Sequence, residues 1–288
     1  MSRSHGRPAS IVLVLCSITS VQFGAALAAT LFPLVGPVAV VALRSVAAVA
    51  ALVVARNVSR PPGSGAPDQR PAGLRVPVTL GVVLAVMNTC VYEAVARLPL
   101  GAVITLEFLG PLGVALAYSR RRRDVVLALT AGAGVTLLSA PTGADGHGLD
   151  PLGVALALAG ALGWALYILL TRELGRHGGS HGLVVACTVA AALVTPVAVA
   201  GSGTALLQPK VLVIGAVVGL LSSALPFSLD RLALRRLPAG AFGVLMSVNP
   251  AVATLAGLLV LDQSPAPAQL AGTALVVAAS ATSTLGSP

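Results

Sequence analysis

Apolar residues run in long blocks along this chain, and polar residues are confined to the gaps between them. Ten blocks can be marked, over residues 9–31, 34–55, 76–96, 99–118, 124–140, 150–170, 182–200, 210–229, 239–261 and 265–286. Each is roughly 17–25 residues long, the length that carries a helix across a bilayer's hydrocarbon core. No strict apolar–polar alternation persists, so the blocks predict helices and not barrel strands. The fifth block is the shortest, and the third and fourth are separated only by the tight junction Arg97-Leu98-Pro99. The first block follows Arg3 and Arg7, and its Ala26-Leu-Ala28 resembles a signal-peptide cleavage site. Nine further blocks follow it and it runs on to Phe32, so it is read as a retained first helix.

The blocks fall into two sets of five. Arg97-Leu-Pro-Leu-Gly-Ala opens the fourth, and 139 residues later Arg236-Leu-Pro-Ala-Gly-Ala opens the ninth. Each copy is followed by a proline at the same place, Pro111 and Pro250. Gly24-Ala-Ala-Leu27 and Gly163-Trp-Ala-Leu166 match at the same offset. The turn-rich segment Pro141-Thr-Gly-Ala-Asp-Gly-His-Gly148 separates residues 9–140 from residues 150–286. Five is an odd number, so the second set enters the membrane from the opposite side. The expectation is an all-α polytopic membrane protein, with ten transmembrane helices as two inverted five-helix repeats. Secondary transporters are built this way, with sites at the repeat interface near mid-membrane.

Composition and charge place this architecture in lipid. The 288 residues are 56% hydrophobic and 9% charged, where a soluble domain carries roughly 25% charged. The mean hydropathy is +0.95. The net charge of +9 suggests nucleic acid until its placement is considered. Aromatics are 3%, too few for base stacking, and no nucleic-acid partner is expected. Fifteen basic residues fall in the N-terminal tail and alternate loops: Arg3, Arg7, Arg56, Arg60, Arg70, Arg75, Arg120 to Arg123, Arg172, Arg176, Arg231, Arg235 and Arg236. The opposite loops hold Arg97 and Lys210. The positive-inside rule then makes the tail 1–8 and both termini cytoplasmic. The stretch 57–75, rich in proline and glycine, reads as a flexible cytoplasmic loop. Cys16, Cys90 and Cys187 lie inside apolar blocks without metal-ligand spacing and read as small buried hydrophobes.

Three charges lie clearly inside blocks: Arg44, Glu93 and Glu107. A charge at the membrane centre costs at least ~2.5–3.5 kcal/mol on insertion scales, and is then paired, hydrated or functional. At 1.5 Å per residue, Glu107 is roughly 12 Å beyond Pro99 and Arg44 roughly 15 Å beyond Leu34. Both helices start on the outer side, so the two groups reach similar depth. They are candidates for binding a polar substrate or a proton; a structural ion pair is the alternative. The second repeat has Met246 where the first has Glu107. Glu93 is four residues before Arg97, which suits a structural i,i+4 pair. Pro111 and Pro250 each deprive the carbonyl four residues back of a donor, breaking the helix where a cavity can use the backbone. Asn249, Trp164 and Tyr167 are further candidates to line the site, with Asn88, Tyr92 and Gln22 weaker ones. The four histidines lie in tails or loops, and no metalloprotease, P-loop or Ser–His motif appears. No metal, cofactor or catalytic residue is expected.

Several segments carry a family resemblance: Asn88, Tyr92, Leu106-Glu-Phe-Leu-Gly-Pro-Leu112, Gly163-Trp-Ala-Leu-Tyr-Ile168, Leu221-Ser-Ser-Ala-Leu-Pro-Phe-Ser228, and Leu237 to Ser247 followed by Asn249-Pro250. In these the chain resembles the EamA type of the drug/metabolite transporter superfamily, and more narrowly the bacterial threonine/homoserine exporters. The resemblance runs over residues 9–286. It implies a multi-pass protein of the inner (plasma) membrane that exports small metabolites, and amino acids such as threonine and homoserine are the expected cargo. Resembling proteins often have Glu before the second proline; this chain has Asn249, which removes one carboxylate from any two-carboxylate proton scheme. The alternatives are an intramembrane lipid-modifying enzyme, an EamA-type carrier of another metabolite or drug, and a scaffold without transport.

Overall fold

The computed structural model describes residues 6–58, 73–118, 122–138, 149–177, 179–234, 242 and 245–285. The second copy of the repeated phrase, most of the loop 57–75, the midpoint segment 141–148 and Arg120, Arg121, Arg235 and Arg236 lie outside the described residues. Among those described, regular structure is helical throughout, and no strand occurs.

Helices form where the apolar blocks predict them. Helix α1 spans Gly6–Ala29, α2 Phe32–Val58 and α3 Arg75–Val95. The fourth block is split into α4, Leu100–Glu107, and α5, Leu109–Tyr118. Helix α6 spans Arg122–Leu138, α7 Pro151–His177 and α8 Gly179–Ser202. The eighth block holds α9, Pro209–Gly219, a π-turn at Leu220–Ala224, and α10, Leu225–Leu234. Helices α11, Asn249–Leu261, and α12, Pro267–Leu285, complete the chain. Five stretches are long and apolar enough to cross a membrane, within α1, α2, α3, α7 and α8. Shorter apolar helices lie at Leu100–Val114, Leu129–Leu138, Pro209–Ser222 and Asn249–Leu261. Large apolar side chains are exposed around the bundle, Leu129 at 69% and Leu162 at 63% among them. A water-solvated surface does not tolerate such a belt.

The breaks have identifiable causes. Pro111 cannot donate to the carbonyl of Glu107, and the helix is interrupted at Phe108. Pro250 stands in the same relation to Met246, and the chain turns at Ser247 and Val248 before α11 begins. In α2, Gly36 takes φ 75° and ψ 163°, a kink that glycine accommodates, and Pro37 follows. This kink was not anticipated from the sequence.

Between helices in lipid there is no hydrophobic driving force, so association depends on close packing, often at small residues. The crossings show it. A Cβ on Gly24 of α1 would lie 2.5 Å from Ser222 Oγ, and one on Gly163 of α7 would lie 2.7 Å from Met87 of α3. Gly134 of α6 and Gly272 of α12 face each other, each close to the other's carbonyl oxygen. Gly101 of α4 packs against Thr254 of α11, and Gly110 of α5 against the carbonyl of Ala161 in α7. Helix α3 packs on α7 and α8, α2 on α8 and α9, α1 on α9, α10 and α11, and α6 on α12. At one end of the bundle, Arg97 pairs with Glu93 at 2.7 Å and approaches Asp150 at 3.9 Å. At the same end, Gln263 accepts a hydrogen bond from the Leu100 N–H at 2.9 Å.

Two readings of single residues need correction. Cys16 is exposed and not buried, because it lies on the outward face of α1; Cys90 and Cys187 are partly buried, and all three are free. The eighth helix runs to Leu234, past residue 229, so it carries two further charged residues, Asp230 and Arg231; Asp230 accepts a hydrogen bond from Ser17 of α1.

Candidate functional site

Arg44 projects from the middle of α2 and donates to the phenol oxygen of Tyr92 on α3 at 3.3 Å. Its guanidinium is also 5.7 Å from the centre of the Tyr92 ring, within the range of a cation–π attraction. Phe32 packs against the same ring, tilted by 56° with centroids 5.9 Å apart. A stacked, hydrogen-bonded guanidinium has a fixed direction. Among the described residues no carboxylate forms an ion pair with it.

Arg44 lines a cavity of about 90 Å³ with Ser45, Leu84, Asn88, Cys187 and Ser222. These residues come from α2, α3, α8 and the π-turn, so both halves of the chain contribute. Asn88 donates its amide to the Leu84 carbonyl at 2.7 Å, which leaves its oxygen as an acceptor. One water needs roughly 10–15 Å³ of such space, so the cavity has room for several waters or a small polar solute.

Glu107 ends α4 and is 9% exposed. Its charge and that of Arg44 act on each other, but no ion pair joins them, and Glu107 has no side-chain hydrogen bond among the described residues. It is not part of the cavity wall. Beside it, Phe108 meets Trp164 edge-on at 5.1 Å, so Trp164 packs against the break in the fourth helix. Tyr167, one turn further along α7, packs with Leu80, Leu174 and Ala186. Asn249 is bonded within the protein: it accepts from Gln22 Nε2 at 2.8 Å and donates to the Met246 carbonyl at 2.8 Å. That carbonyl is the one Pro250 leaves without a donor. Of the residues singled out from the sequence, the structure thus brings together Arg44, Asn88 and Tyr92, and keeps Trp164, Tyr167 and Asn249 in packing or bonding roles. Among the described residues no group of three potential metal ligands occurs.

Ser222 was not singled out, although its signal was available. Pro226 follows it by four residues, the same relation that marks Glu107 and Met246. Pro226 has no N–H for the Ser222 carbonyl, and its ring crowds that carbonyl. The N–H of Leu225 reaches back to Leu220 instead of Leu221, which is the π-turn. The released Leu221 carbonyl is captured by Ser20 Oγ at 2.6 Å.

Comparison with known proteins follows this geometry. Residues 151–285 match the EamA-like transporter family. Threonine/homoserine exporter RhtA of Escherichia coli (strain K12) is 39% identical over 276 residues, covering 96% of this chain and 91% of its own. Threonine/homoserine exporter RhtA of Salmonella typhimurium (strain LT2) is 37% identical over the same shares. A solved crystal structure at 22% identity has a TM-score of 0.67 over 97% of each chain, which places this chain in that fold.

Proposed function

We propose that this chain, which belongs to the EamA-like transporter family, is a secondary transporter of the bacterial inner membrane that exports small zwitterionic metabolites. Threonine and homoserine, named in its relatives, are the expected cargo. The observation that carries this reading is Arg44: a directed guanidinium in a mid-helix cavity with no carboxylate partner among the described residues. A charge held so deep is costly, and a substrate carboxylate would offset that cost while making a charge-assisted hydrogen bond. Glu107, close enough to act on Arg44 electrostatically, receives the substrate ammonium or exchanges a proton.

The two five-helix halves, 9–140 and 150–286, are inverted repeats that rock about this site. Exchange of the halves supports this reading. Under it α3 on α7 maps to the eighth helix on α1, α3 on α8 maps to the eighth helix on α2, and α6 on α12 maps to itself; all are packed pairs. Gly24 and Gly163 sit at corresponding crossings, and the breaks at Phe108 and Ser247 lie one repeat apart. Both termini are cytoplasmic by the arginine bias. Transport is driven by an ion gradient or by the substrate's own gradient.

Counterflow of labelled threonine and homoserine in proteoliposomes tests the reading. The wild-type protein exchanges both, and Arg44→Ala and Glu107→Gln lose at least about tenfold, the worth of one charged hydrogen bond. Absence of exchange by the wild-type protein overturns the function; full activity of Glu107→Gln removes that residue from the mechanism.

A further inference from the structure

Resting on that reading, we infer that Tyr92 is the outer gate of the carrier: Arg44 latches it shut while the site is empty, and a substrate carboxylate releases it by taking the guanidinium. Tyr92 lies near the end of α3, and Phe32 is the first residue of α2. The arginine bias puts both of these helix ends on the outer side. There the two rings pack on each other, and Tyr92 is buried. The space left beside them, bounded by Ala25, Val95, Leu100 and Ile104, is about 10 Å³, the least that holds one water. Nothing the size of an amino acid passes there.

The Arg44 cavity lies further in. Its wall on α3 is Asn88 and Leu84, about one and two turns deeper than Tyr92. On α2 it runs from Arg44 to Ala48, about one turn deeper again. Arg44 touches both places, since it lines the cavity and donates to the phenol oxygen at 3.3 Å. That phenol is a neutral acceptor. A hydrogen bond to an ionised acceptor is roughly twice as strong, and a carboxylate takes a guanidinium with both oxygens. A carboxylate entering the cavity therefore draws the guanidinium off the phenol, and the cation–π contact at 5.7 Å goes with it. The ring is then left to its apolar neighbours, and between helices in lipid no hydrophobic driving force holds such packing closed. The coupling is reciprocal: a bond that keeps the empty gate shut also opposes threonine binding.

The experiment places a reporter, Val95→Cys, in the gap beside the gate, in protein whose three native cysteines are replaced by alanine. Its reaction with a membrane-impermeant thiol reagent is followed from outside, with Leu207→Cys, exposed in the structure, as the reference rate. With Tyr92 intact the reporter reacts slowly, and saturating threonine speeds it about tenfold, the worth of one hydrogen bond to a charged group. Tyr92→Phe keeps the ring and removes the phenol oxygen. It makes the reporter fast without threonine and indifferent to it. The same variant binds threonine about tenfold more tightly by the reciprocal coupling, read from the threonine dependence of thermal unfolding. Weaker binding overturns the inference, by showing the phenol to be a substrate ligand. Slow labelling of Tyr92→Phe also overturns it, with or without a loss of stability. A reporter that ignores threonine while Tyr92 is intact overturns it too, and the proposed function stands if that protein exchanges threonine in counterflow. Absence of counterflow by the wild-type protein overturns the proposed function and the gate with it.

Discussion

Gln22 and Asn249 meet at one helix crossing, and Ala161 and Gly110, each 139 residues from one of them, meet at another. The two crossings are held differently. Gly110 lets α5 press against the Ala161 carbonyl, whereas Gln22 and Asn249 reach across by a side-chain hydrogen bond at 2.8 Å. Hydrogen bonds between membrane helices are worth about 0.6 kcal/mol on average, and an unsatisfied buried group costs about 1–3 kcal/mol. Gln22→Ala is therefore expected to cost about 1 kcal/mol. Asn249→Ala costs more, about 2 kcal/mol, because it also strips the Met246 carbonyl that Pro250 left without a donor. Thermal unfolding in detergent measures both, and equal losses would show the carbonyl bond to be idle. At this scale the sequence was only partly legible. Residue type and depth marked Arg44, but which of Tyr92 or Glu107 would take its hydrogen bond depended on how α2, α3 and α4 are rotated. Gln22 is 3% exposed and bonded across 227 positions of sequence, a relation that no local pattern encodes.

Among the helices, the prolines gave the most readable signal and the one most incompletely used. Pro111 and Pro250 were expected to interrupt their helices, and breaks occur just before them, at Phe108 and at Ser247 and Val248. Pro226 acts by the same loss of a donor, yet its outcome differs: the chain continues as a π-turn because Ser20 of α1 takes the spare carbonyl. Restoring the donor with Pro226→Ala should let the ordinary i→i+4 ladder close. The expected outcome is equal or higher thermal stability with threonine transport reduced, because the π-turn forms part of the wall of the Arg44 cavity. Retained transport with a closed ladder would show that the π-turn has no part in binding. Block lengths located most helix ends to within a few residues, since apolar length is a local property, but α7 runs on to His177 and the eighth helix to Leu234. The kink at Gly36 was missed because glycine is abundant throughout this chain, and only the backbone identifies which one adopts positive φ.

Across the whole molecule, the alternation of basic loops makes a topological prediction. In a variant whose three native cysteines are replaced, Leu74→Cys should react with a membrane-impermeant thiol reagent only from the cytoplasm. Leu207→Cys should react only from outside. Both side chains are exposed in the structure; the reverse pattern in intact cells would refute the orientation. The sequence alone determined that the chain is helical and meant for lipid, because hydropathy and block length are additive along the chain and the bilayer imposes a fixed span. It also carries the repeated phrases at a common offset of 139 residues, since repetition is a property of the sequence itself. Only the tertiary structure decided that Arg44 turns to Tyr92, that Asn249 is consumed by Gln22, and that a π-turn forms part of the cavity wall. Those outcomes depend on helix rotation and on which side chain first satisfies a buried polar group, and both are settled by packing between segments far apart in the chain.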